Sequence, residues 1–104
     1  MKKLIGLKKI RTAVFISGNG TNLKSLIKFS KTKKSPITIN LIISNNSKAK
    51  GLNYSNQFKI PKKIINYKIK NIAEKKILLI LKKSKINLIC LAGFMKILSK
   101  NFIK

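Results

Sequence analysis

The chain has 104 residues and sets 25 Lys plus Arg against one acidic residue, a formal charge of +24. That length allows one small domain or part of a larger one, and a hydrophobic content of 44% excludes a disordered basic tail. No uninterrupted apolar run approaches the roughly 18 residues of a membrane span, and lysines interrupt the apolar stretch after Met1-Lys2-Lys3, so no secretory signal is expected.

After a basic leader over residues 1–11, Thr12-Ala13-Val14-Phe15-Ile16-Ser17 is short, apolar and partly β-branched, which predicts a buried strand. Gly18-Asn19-Gly20-Thr21-Asn22 breaks the run. Leu23, Leu26, Ile27 and Ser30 then recur at helical spacing with lysines between them. A second strand is predicted over residues 37–43, closed by the turn Ser44-Asn45-Asn46-Ser47. A weaker helix follows over residues 48–58, where Gly51 and two asparagines lower helix propensity. Pro61 introduces a short third strand around Ile64-Ile65-Asn66-Tyr67. Ala73, Ile77, Ile80, Leu81 and Ser84 line one face of a third helix. Residues 86–92 form a fourth strand, followed by a loop from Gly93.

Strands alternating with helices in the order βαβαβαβ predict an α/β fold, a Rossmann-like parallel sheet with helices on both faces. Apolar strands without polar alternation agree with burial on two sides. No linker divides residues 12–104, which are read as one nucleotide-binding unit.

The charge has two readings. Clustered cations would bind RNA or DNA by releasing counterions from the phosphate backbone. Here, however, lysine is spread along the whole chain, and arginine, the better fork for phosphate, occurs once, at Arg11. Nucleic acid is therefore expected to bind only non-specifically, and a dedicated basic RNA/DNA-binding module is the alternative function. Cys90 is the one cysteine and lies in an apolar run, which fits core packing and a reducing cytoplasm. No set of His, Cys and carboxylates could hold a metal.

The informative segment is Ser17-Gly18-Asn19-Gly20-Thr21-Asn22-Leu23, between the first strand and the first helix. Glycines let the backbone approach an anion, and a helix N-terminus offers free N–H groups with a favourable dipole. It is not a dinucleotide fingerprint, because Leu23 replaces the third glycine and the second strand ends in Ser44-Asn45-Asn46 without an acid. It is not a Walker A loop either. A phosphate on a smaller ligand fits better.

Ile16-Ser17-Gly18-Asn19-Gly20-Thr21-Asn22-Leu23 resembles the opening of glycinamide ribonucleotide (GAR) formyltransferases, where G-[ST]-N follows the first strand. Ile43-Ser44-Asn45-Asn46, with Ala49-Lys50-Gly51-Leu52 after it, resembles that family's second strand end. Leu91-Ala92-Gly93-Phe94-Met95-Lys96-Ile97-Leu98-Ser99 resembles its L-A-G-F-M-[RK]-[IL]-L segment. The resemblance runs from Thr12 onward and covers the first half of a typical member. It implies transfer of a formyl group from 10-formyltetrahydrofolate to the amine of GAR in purine synthesis. Gly20, Thr21 and Asn22 would hold the substrate phosphate. Met95, Lys96, Ile97 and Leu98 would line the folate pocket, and Lys70 would match a folate-contacting basic position.

The family's catalytic asparagine and histidine lie in an N-x-H-P-[SA] motif, with a catalytic aspartate further on. The 104 residues contain no histidine and no aspartate, and Ile86-Asn87 stands where the family commonly has Pro-Asp. The one carboxylate, Glu74, is expected in the first turn of the third helix as a solvated or dipole-complementing residue. The resemblance therefore implies a chain that binds but does not turn over alone. Its expected partners are GAR, folate, and either a separate C-terminal half or a second copy at a bare sheet edge.

Overall fold

The computed structural model describes residues 9–94, which form a four-stranded parallel sheet with helices on both faces. In chain order the elements are β1 (Ile10–Ile16), α1 (Thr21–Ser30), β2 (Ile37–Ser44), a 3₁₀ turn (Lys50–Leu52), α2 (Asn53–Phe58), β3 (Lys62–Ile64), α3 (Lys70–Lys83) and β4 (Leu88–Leu91). The α/β architecture read from the sequence is the one observed. β1 begins two residues before its apolar run, and β4 is shorter than residues 86–92.

The strand order is β3-β2-β1-β4. β1 is thus central, and the chain reverses its direction of travel across the sheet when α3 carries it back past β1 to β4. Ligands in such sheets bind outside the carboxyl ends of the strands where the order reverses. Here that crevice lies between β1 and β4.

Alternation along the strands divides the core into two layers. Val14, Ile16 and Ile42 pack with Leu23 and Ile27 of α1 and with Leu52 on one face. Ala13, Phe15 and Ile43 pack with Ala73, Ile77 and Leu81 of α3 on the other. Between β1 and β2 the register shifts after Thr12, leaving Asn40 as the extra residue. Its side-chain Oδ1 accepts from the Thr12 N–H at 3.3 Å and from the Thr38 hydroxyl at 2.7 Å, replacing the interrupted ladder bond.

Two basic side chains close the opposite end of the sheet. Arg11 donates through Nε and Nη2 to the Ser84 carbonyl at 3.1 and 2.9 Å, tying β1 to the end of α3. Lys9 Nζ reaches the Ser30 and Thr32 carbonyls at the end of α1, at 3.2 and 3.1 Å. Both cations sit at helix C-termini, where the dipole favours them. The one arginine therefore has a structural role.

Among the described residues no helix is long and apolar enough to cross a membrane. Cys90 is half-buried against the α1 layer with a free thiol.

Glu74 departs from its expected setting. α3 starts at Lys70 and has no acid in its first turn, and Glu74 is only 5% exposed. Counted from Ile77 and Leu81, it falls three and seven residues earlier, on the buried stripe of the helix. Its place in the helical period puts it on the buried face, although a charged side chain is ordinarily found at the surface.

Candidate functional site

The loop after β1 is shaped by two glycines in contact. Gly20 caps α1 with φ +79°, in the left-handed region that favours glycine. A Cβ on Gly20 would stand 2.5 Å from the Gly51 Cα, and a Cβ on Gly51 would stand 2.9 Å from the Gly20 Cα. Neither side chain can be added without moving backbone. The Gly51 N–H also donates to the Gly18 carbonyl at 3.0 Å.

Polar side chains fasten the same two loops together. The Ser17 hydroxyl donates to Asn45 Oδ1, and Asn46 Nδ2 donates to the Ser17 carbonyl at 3.3 Å. The Asn46 N–H donates to Ser44 Oγ, which in turn donates to the Asn46 carbonyl, both at 3.0 Å. The Asn45-Asn46 pair, expected as a turn and helix cap, thus also locks the β1–α1 loop to the end of β2. Two adjacent asparagines are the one local sign of this role. Gly51 reads locally as a weak point in a helix, whereas its partner in the fold, Gly20, lies 31 positions away.

The consequence is a rigid, uncapped helix N-terminus. α1 receives no side-chain cap, and its first N–H to carbonyl closure runs from Lys24 to Gly20 at 2.9 Å. The amides before Lys24 cannot find intrahelical acceptors. Thr21 and Asn22 are exposed beside these amides, at the kind of helix N-terminus that suits an anion.

β4 delivers its C-terminal residues to the same end of the sheet. Val14 pairs with Cys90 and Phe15 with Leu91, and the Ala92 N–H donates to the Phe15 carbonyl at 2.9 Å. A cleft of about 400 Å³ lies between α1 and this strand, with Asn22, Ser25 and Phe29 on one side and Cys90, Leu91 and Ala92 on the other. Its size suits a small-molecule site. Of the expected site residues, Asn22 therefore shares one cleft with the strand that leads to Met95.

Lys70 is exposed and opens α3. The loop before it reaches the end of β4 on the α3 side of the sheet, opposite the cleft, where Tyr67 stacks edge-to-face on Phe94 with centroids 5.6 Å apart. Met95, Lys96, Ile97 and Leu98 lie outside the described residues.

A second cluster lies on the α3 side. Phe94 also meets Phe15 edge-to-face at 5.3 Å. Among the described residues the buried Tyr67 hydroxyl has no hydrogen-bond partner. Burial, and after it the negative charge of Glu74, raise the Tyr67 pKa above its ordinary value. Tyr67, expected in the third strand, lies beyond its end at Ile64, and Glu74, expected to be solvated, is buried. No group of three or more His, Cys, Asp or Glu that could bind a metal occurs among the described residues.

Residues 10–104 match the protein family described as formyl transferase. The chain is 42% identical over 100 residues to the trifunctional purine biosynthetic protein adenosine-3 of Homo sapiens, an alignment covering 93% of this chain and 10% of that protein. It is 37% identical over 99 residues to the phosphoribosylglycinamide formyltransferase of Haemophilus influenzae, covering 92% of this chain and 46% of the relative. Among solved structures, the phosphoribosylglycinamide formyltransferase of Brucella melitensis superposes with a TM-score of 0.88 at 33% identity, over 92% of this chain and 52% of that one. The enzyme of Anaplasma phagocytophilum gives 0.80 at 36%, over 92% and 45%. The chain thus spans about a tenth of the trifunctional relative and about half of the single-activity ones. With the fold, the glycine-paired loop and the family match in agreement, the chain belongs to the formyl transferase family.

Proposed function

We propose that the chain forms the substrate-holding half of a phosphoribosylglycinamide formyltransferase, which moves a formyl group from 10-formyltetrahydrofolate to the amine of GAR. Gly20, Thr21 and Asn22 hold the substrate phosphate. Met95, Lys96, Ile97 and Leu98 line the folate pocket, with Lys70 as a basic contact. The observation that carries this reading is the uncapped N-terminus of α1, held open by the Gly20–Gly51 contact at the sheet's reversal point.

Formyl transfer needs an amine that loses a proton as it attacks, and an oxyanion that is stabilised as the tetrahedral species forms. These 104 residues contain no histidine or aspartate. Their one carboxylate, Glu74, is buried against the α3 layer, away from the α1 N-terminus. The chain therefore binds and orients, and the proton-moving groups belong to residues outside these 104. The nucleic-acid alternative gains no support from the relatives.

The test is calorimetric titration of the 104-residue chain with GAR and with the riboside that lacks its phosphate. GAR is expected to bind in the range of about 10 μM to 1 mM, and the riboside about tenfold or more weaker. Equal affinities would remove the phosphate site. Formyl transfer by these residues alone is expected to be undetectable, and robust turnover would overturn the division of labour proposed here.

A further inference from the structure

Gly20 joins the loop after β1 to the first amides of α1, and it has no side chain to hold it there. Its φ of +79° is one that glycine enters and leaves at little cost, so neighbours must impose it. They stand on the side where a Cβ would project. The Gly51 Cα lies 2.5 Å from that position, and Cδ2 and Cε2 of Tyr54 each lie 3.4 Å from it. Gly51 closes the approach with backbone, and Tyr54 closes it with a flat ring.

That ring is itself fixed. Tyr54 belongs to the first turn of α2, is half-buried, and packs on the α1 layer of the core. One turn later Phe58 meets it at an interplanar angle of 39°, with centroids 6.3 Å apart. The ammonium of Lys31, the C-cap residue of α1, lies over the Phe58 ring, 5.8 Å from its centroid. A cation over an aromatic face is attracted by the ring quadrupole. The two rings of α2 thus meet both ends of α1, Tyr54 beside its N-cap and Phe58 under the side chain of its C-cap.

We infer that Tyr54 is a positioning residue for the substrate phosphate: its ring backs Gly20, and so fixes the direction in which the first amides of α1 face the anion. This rests on the assignment of that phosphate to Gly20, Thr21 and Asn22 made above, and it adds a residue that touches no ligand itself. Donors held in place before binding need no ordering when the anion arrives. Without the ring, Gly20 gains room to leave its left-handed conformation, and the anion must then order the loop. The contact is made by ring carbons, so the ring and not the hydroxyl carries the role.

The experiment titrates the full 104-residue chain with GAR and with the riboside that lacks its phosphate. Tyr54→Leu is expected to weaken GAR binding about three- to tenfold and to leave the riboside unchanged, so that the ratio of the two affinities falls by the same factor. Tyr54→Phe should keep the wild-type ratio. Phe58→Leu, which removes a ring from the same helix, should keep it too, because a loss of stability alone does not single out the phosphate. Inorganic phosphate gives a second readout: the concentration that half-shifts the Thr21 and Asn22 amide resonances should rise about three- to tenfold in Tyr54→Leu. If Tyr54→Leu shows no cooperative urea transition, Tyr54→Met, with an unbranched chain that fills gaps but offers no flat face, replaces it with the same loss expected.

The outcomes separate the two readings. Wild-type protein with equal affinity for GAR and the riboside would remove the phosphate assignment itself. Wild-type protein that discriminates, with Tyr54→Leu or its replacement discriminating equally well, would overturn only the role of Tyr54. An equal fall in Tyr54→Phe would overturn it by making the hydroxyl the working group, and an equal fall in Phe58→Leu by making the effect one of stability. Failure of both Tyr54→Leu and Tyr54→Met to fold would overturn it as well, since the ring would then serve the fold and not the site.

Discussion

Gly20 and Gly51 meet backbone to backbone, and the cost of separating them can be stated residue by residue. Gly51→Ala places a methyl 2.8 Å from Ile16 Cδ1 and 2.9 Å from the Gly20 Cα, with the Gly20 nitrogen at 3.2 Å. Overpacking of this kind destabilises by about 1–3 kcal/mol, and it pushes on the loop that presents the α1 amides. Both unfolding stability in urea and GAR affinity should fall. Gly20→Ala adds left-handed strain of about 1–2 kcal/mol to a similar clash. Gly18→Ala should be close to neutral in the same assay, because nothing lies within 4 Å of its added carbon.

Tyr67 gives a pH-dependent prediction at the same scale. Its folded-state pKa is raised, by burial first and by Glu74 second. A raised pKa means that its contribution is complete below the unfolded value near 10 and is lost as pH rises through the folded value. Lysines also deprotonate in that range, which relieves repulsion, so the useful quantity is the difference from Tyr67→Phe. Relative to that variant, wild-type stability should hold steady below about pH 9.5 and decline above it. Adding Glu74→Gln should make the decline smaller by removing the second cause. A flat difference would mean that the phenol titrates normally.

At the scale of elements, the two outer strands are unlike. β3 is three residues long and exposed, and it includes Lys62 and Lys63, charges that discourage pairing with another sheet. β4 is the outer strand on the other side among the described residues, with Leu88 and Leu91 38% and 55% exposed. Phe29, 48% exposed, lies across the cleft from Leu91. An apolar strand edge beside an apolar cleft should make the 104 residues self-associate. Sedimentation is expected to show larger species as concentration rises, and Leu88→Lys, outside the cleft, should reduce them while leaving GAR binding in place. If wild type stays monomeric at high concentration, the edge is not a contact surface.

The helices show how far periodicity reaches. The face of α3 that carries Ala73, Ile77 and Leu81 was legible from spacing alone, because a helix buries positions three and four apart. Glu74 differs from its expected solvated setting because its place beside Ala73 and Ile77, on the face packed against the sheet, overrides its charged type. The 3₁₀ turn at Lys50–Leu52 has a similar explanation: Gly51 is there to meet Gly20, not to continue a helix.

At the scale of the molecule the dominant quantity is charge. Twenty-five cations face one carboxylate, and that carboxylate is buried where it does little to relieve surface repulsion. Screening should therefore stabilise the fold. Between about 10 mM and 100 mM salt the Debye length falls from about 30 to 10 Å, and the midpoint of thermal unfolding should rise by about 5 °C or more. An unchanged midpoint would show that the spread of lysines already keeps repulsion small.

By itself the sequence determined the alternation of strand and helix, the parallel sheet, the division of apolar residues between strands and helix faces, and the loop whose glycines suit an anion. These follow from local periodicity and from what glycine and β-branched residues allow, which neighbours in the chain settle among themselves. Only the tertiary structure decided that Gly51 presses on Gly20, that the asparagines after β2 hold the loop after β1, that Arg11 caps α3, and that Phe94 sits between Phe15 and Tyr67. Each joins residues far apart in the chain, and their meeting is fixed by strand order and by the close packing of layers, which no local pattern encodes.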